Sequence, residues 1–85
     1  MNTREFPLSA LPVGGCAQVS RLCADGGMRR RLLDLGMIAG TPVTCLQRSP
    51  AGDPTAYLIR GAVIALRRQD AGDVVMCDGE RPSWG

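Results

Sequence analysis

The spacing of apolar positions along this chain switches from two to 3.6 and back to two. Between Cys16 and Cys23, Ala17 and Val19 share one side and Gln18 and Ser20 the other, which predicts a half-buried strand. Asp25-Gly26-Gly27 interrupts it, with Asp25 placed to cap a helix beginning just after it. In Met28-Arg29-Arg30-Arg31-Leu32-Leu33-Asp34-Leu35-Gly36 the apolar residues Met28, Leu32 and Leu35 recur at i, i+4 and i+7, so a short helix with one apolar stripe is expected. Leu33 lies about 100° round from Leu32, at the edge of that stripe and within reach of solvent. Gly36 suits the left-handed position that ends a helix, because it has no Cβ.

Downstream the pattern is that of short strands. Pro42 to Arg48, Ala56 to Arg60, Ala62 to Arg67 and Val74 to Cys77 are apolar or alternating runs separated by turn residues. Ser49 to Pro54 reads as a loop in which Asp53 bonds its own backbone, and Arg60-Gly61 as the tip of a tight hairpin. Phe6 to Gly15 reads as an extended lead-in with a turn and a bend, and Gln69-Asp70-Ala71-Gly72 as one helical turn. Gly79 to Gly85 reads as a frayed tail despite Trp84. About five short strands with one small helix predict a mainly β fold, a closed or partly open barrel that hides its strand edges.

With 85 residues the chain has room for one domain, 1–85, with a core over about 8–77 and a tail at 78–85. Composition then narrows the chemistry. There is no histidine and no lysine, and all ten basic residues are arginine. This excludes Ser-His-Asp and Cys-His nucleophile systems, imidazole-ligated metals, the lysine of a phosphate-binding loop and a Schiff base. No enzyme constellation remains, and the expectation is a non-enzymatic protein. A net charge of +2 with single Phe, Tyr and Trp residues offers no stacking platform, so no nucleic-acid partner is expected. No apolar run approaches the roughly 20 residues that span a bilayer, and the N-terminus shows no apolar leader, so the cytoplasm is the expected location. Cys16, Cys23, Cys45 and Cys77 have no C-x-x-C spacing and are expected to be buried free thiols.

The segment Met28 to Val43 resembles the signature L-R-x-R-L-x-x-L-G-h-x-P-G-x-x-V, with h apolar, of the ferrous iron transport protein A (FeoA) family. Pro50-Ala51-Gly52-Asp53-Pro54 is similar to the family's P-x-G-D-P loop. Arg60-Gly61 followed by Ala65-Leu66-Arg67-Arg68 is similar to its R-G strand, and Leu8 to Gly14 to its opening L-x-x-L-x-x-G. The resemblance runs from Leu8 to Met76, departing from the family at Ala39, where proline is common, and at Gln69-Asp70-Ala71. It implies a small SH3-like barrel acting as a cytosolic accessory of bacterial ferrous iron uptake, with the cytosolic part of a FeoB-type membrane permease as partner. With no imidazole and no clustered carboxylates the residues point to no intrinsic cofactor, and a weak or interfacial divalent transition metal and self-association stay open. The alternatives are a metal-responsive regulatory module or a small barrel that binds nucleic acid.

The expected partner-binding residues are Arg29, Arg30, Arg31, Leu33 and Met37. Arginine pairs carboxylates in planar, bidentate geometry, and Leu33 with Met37 would supply an apolar centre for that charged rim. The competing reading is a solvated helix face with an Arg30–Asp34 pair. Metal ligands are not assignable, since carboxylates do not cluster at ligand spacing.

Overall fold

A computed structural model describes residues 4–77, and the expected tail at 78–85 lies outside the described residues. The alternating runs form a six-stranded antiparallel sheet: β1 (Glu5–Pro7), β2 (Cys16–Leu22), β3 (Pro42–Arg48), β4 (Thr55–Ile59), β5 (Ala62–Leu66) and β6 (Val74–Cys77). Two α-helices punctuate it, α1 (Gly26–Asp34) between β2 and β3 and the single turn α2 (Arg68–Ala71) between β5 and β6, and a 3-10 turn, Leu8–Ala10, follows β1. The strand not anticipated is β1. It is too short to show a period and exists through long-range pairing of Glu5, Phe6 and Pro7 with Cys77, Met76 and Val75.

Strand order is β1-β6-β2-β3-β4-β5, so the last strand in sequence lies between the first two. Register shifts at Val19/Arg21 in β2 and Cys45/Gln47 in β3 mark bulges, which increase local twist and curl the sheet around its core. Inside lie Leu8, Val19, Leu32, Val43, Tyr57, Ile59, Val74 and Met76, all buried. Closure stops short of hiding the edges: among the described residues no ladder joins β1 to β5, so the expectation of covered edges is corrected.

At the end of α1 the local chemistry decides the path of the chain. Gly36 takes φ +100°, its N–H bonds the Leu33 carbonyl (3.0 Å), and the Met37 N–H bonds the Leu32 carbonyl (3.0 Å). This is a Schellman motif, in which the residue two beyond the helix folds back against the one that opens its last turn. A Cβ on Gly36 would also lie 2.5 Å from Cδ of Arg60, so the glycine is required by both backbone angle and space. Arg60 (φ +51°) and Gly61 (φ +83°) make the two-residue turn joining β4 to β5, as the hairpin reading expected. Asp25 stands at the N-cap of α1, but its side chain makes no capping bond. Asp53 departs from expectation too: its Oδ1 accepts from the Arg68 N–H (2.8 Å), binding the 49–54 loop to the start of α2.

Candidate functional site

The arginine-rich helix borders a groove of about 270 Å³ between α1, the 37–39 turn and β2. Arg29 and Leu33 line it from α1, Met37, Ile38 and Ala39 from the turn, and Ser20, Arg21 and Leu22 from the strand. Its geometry arises from two glycine turns. After Gly36 reverses the chain, Gly40 (φ +91°) bonds its N–H to the Val19 carbonyl (2.8 Å), and the Val19 N–H bonds the Thr41 carbonyl (2.9 Å). The turn is thereby pinned beside β2, with Ile38 held at its outer corner.

Leu33 is 39% exposed and Ile38 is 48% exposed, so the apolar centre is made by these two side chains. Met37 is 0% exposed and belongs to the core, so it lines the groove from beneath, which corrects the expectation that it is an exposed apolar contact. The Schellman motif is the physical reason: it folds Met37 inward over Leu32 and leaves the next residue, Ile38, outside. Arg29, Arg30 and Arg31 are all exposed, but only Arg29 lines the groove. The Arg30–Asp34 pair of the competing solvated-face reading does not close; among the described residues the ion pair within 4 Å is Arg21–Glu5.

On the rim, Arg21 Nη2 donates to Glu5 Oε1 (3.1 Å) and Ser20 Oγ donates to Glu5 Oε2 (2.7 Å). The Ser20 hydroxyl first, and then Arg21, hold the Glu5 carboxyl below its ordinary range. The groove is therefore an apolar floor with a guanidinium on each side, one of them already tied to a carboxylate. Such an arrangement can bury apolar side chains and pair carboxylates.

Sequence reasoning missed Arg21 and Ile38, since neither shares the period of α1. It also misplaced two thiols: Cys45 is buried and Cys77 half-buried, but Cys16 and Cys23 are exposed. The alternation that buries Ala17 and Val19 already puts Cys16 on the face of Gln18 and Ser20, so the signal was there. Among the described residues no three Cys, Asp or Glu side chains are grouped to hold a metal ion.

A curled six-stranded antiparallel sheet with one helix between its second and third strands defines a small SH3-like domain. The FeoA domain profile matches residues 6–76, and the chain belongs to the FeoA family, a family of ferrous iron transport. It is 36% identical over 67 residues to an Fe(2+) transport protein A/Fe(2+) transporter FeoB fusion protein of Porphyromonas gingivalis; that match covers 79% of this chain and 8% of the fusion protein. Among solved structures, the FeoA protein of Chlorobium tepidum is 32% identical at a TM-score of 0.79, covering 92% of this chain and 75% of that one. The zinc-complexed FeoA of Stenotrophomonas maltophilia, described as an SH3 domain protein, is 31% identical at a TM-score of 0.76, covering 84% and 88%.

Proposed function

We propose that this protein is a non-enzymatic cytosolic accessory of ferrous iron uptake that docks on the cytosolic part of a FeoB-type permease through the groove between α1 and β2. The observation that carries the reading is the fusion of a FeoA segment and an FeoB transporter in one relative, since covalent linkage keeps two parts at high effective concentration. The groove supplies the chemistry. Leu33 and Ile38 are the apolar anchors; Arg29 and the neighbouring Arg30 and Arg31 steer and orient an acidic surface. Docking shifts an equilibrium between permease conformations by no more than the difference in affinity for the two. Among the described residues no helix is long and apolar enough to cross a membrane, and the permease supplies the membrane link.

Co-purification with the permease tests the reading. Leu33→Glu and Ile38→Glu are expected to keep the fold and lose the permease, whereas Met37→Glu is expected to lose the fold, because it places a charge among buried apolar groups. Undiminished capture by the folded Leu33→Glu, Ile38→Glu double variant removes the groove from the docking surface.

A further inference from the structure

Strand β5 carries a second surface, remote in sequence from the groove. It is the last strand of the sheet, so β4 occupies one side of its backbone only. The two-residue turn makes Ile59 and Ala62 a hydrogen-bonded closing pair; Ala62, Ile64 and Leu66 therefore turn their N–H and C=O groups toward β4. Val63 and Ala65 turn theirs outward, where no loop or turn backbone among the described residues bonds them. Val63 is 66% exposed, and opposite it on β4 stands Leu58, another exposed apolar side chain.

Natural edge strands are blunted by charge, proline, a bulge or brevity. The run Ala62-Val63-Ile64-Ala65-Leu66 has no charged residue and no proline, and its register to β4 is unbroken over five pairs. Charge gathers instead at its two ends. Arg60 precedes the strand, Arg67 and Arg68 come after it, all three are exposed, and among the described residues none of their guanidinium groups meets a carboxylate within 4 Å. A second copy fits this arrangement poorly. Antiparallel self-pairing that uses both outward residues sets Val63 against Ala65 of the other copy, and so brings the Arg60 end of one copy beside the Arg67 and Arg68 end of the other. The repelling ends call for carboxylates.

We propose that the free edge of β5 accepts, as a seventh strand, an extended apolar segment of a partner protein flanked by Asp or Glu at both ends. Backbone hydrogen bonds to Val63 and Ala65 supply the register, the Leu58–Val63 pair receives an apolar side chain, and the three arginines select the flanks. The proposal does not rest on the groove, which is lined by none of these residues.

The probe is a blocked peptide, Asp-Glu-Val-Ile-Val-Glu-Asp, titrated into the ¹⁵N-labelled full chain. Saturable shifts centred on the Val63 and Ala65 amides, with slowed hydrogen exchange there, are expected. Val63→Pro, which removes an outward donor at an edge position that tolerates proline, is expected to weaken binding about tenfold. The pair R67E/R68E is expected to weaken it about fivefold, and the same peptide with arginine in place of its acids is expected not to bind. These charge reversals test the proposal whether or not Val63→Pro folds. Shifts centred on Leu33 and Ile38, no shifts at all, or equal binding of the acidic and basic peptides would overturn it. So would a dimer in sedimentation that Val63→Pro abolishes, since a second copy would then hold the edge.

Discussion

At one edge of the sheet β1 is three residues long, includes Pro7, and is fastened by Glu5 to Ser20 and Arg21 of β2. At the other edge β5 is five residues long, wholly apolar and fastened only to β4. Both expose one row of backbone donors and acceptors, so the difference between them lies in side chains. β1 has no N–H at Pro7, and its Glu5 carboxylate is already engaged in an internal clamp. β5 keeps its outward N–H groups and places its arginines beyond its ends. One edge is closed against a further strand and the other is built to receive one.

The sharpest test compares the two faces of β5. Leu66→Ala, on the core face, is expected to cost about 2–5 kcal/mol in urea unfolding, whereas Val63→Ala, on the outer face, stays within about 0.5 kcal/mol. Equal costs would mean that Val63 packs within the fold and that the edge is not free. A smaller effect is expected where the β4–β5 hairpin meets α1. Gly36→Ala forces a Cβ into the left-handed region against the Arg60 stem, for a loss of about 1–2 kcal/mol; a neutral result would detach the hairpin tip from the helix end.

The smallest effect belongs to the β1 clamp. Because the Glu5 carboxyl is held below its ordinary pKa, its contribution is present above the usual glutamate range and fades as pH falls through the lowered value. Once the intrinsic pH dependence of exchange is divided out, protection of the β1 amides should therefore fall on acidification in the native chain. Glu5→Gln should exchange faster at neutral pH and lose that acid dependence. A pH-independent profile in the native chain would show that the clamp does not hold this edge. At the alkaline end, burial pushes the Tyr57 hydroxyl above its ordinary pKa, so stability is full below that range and declines as pH rises through it.

Where neighbours within a few residues decide conformation, the amino-acid sequence alone was sufficient. The stripe Met28, Leu32 and Leu35, the helix stop at Gly36, the tip at Arg60-Gly61 and the alternation of β2 are all legible without coordinates, as is the resemblance to the FeoA family. The groove was legible in part: Leu33 and Arg29 are placed by helix geometry, since a period of 3.6 says which side of α1 faces away from its stripe. Tertiary structure decided the rest. Met37 is buried because the chain folds back over Leu32 after the helix, beyond the reach of the helical period, and Ile38 is exposed by the same step. Arg21 joins the groove because Gly40 and Thr41 pair with Val19, and β1 exists because β6 arrives beside it from the far end of the described chain. Periodicity tells which way a side chain points along its own element; which strand or turn arrives opposite it is a long-range choice, made by how the whole set of apolar faces can be covered at once.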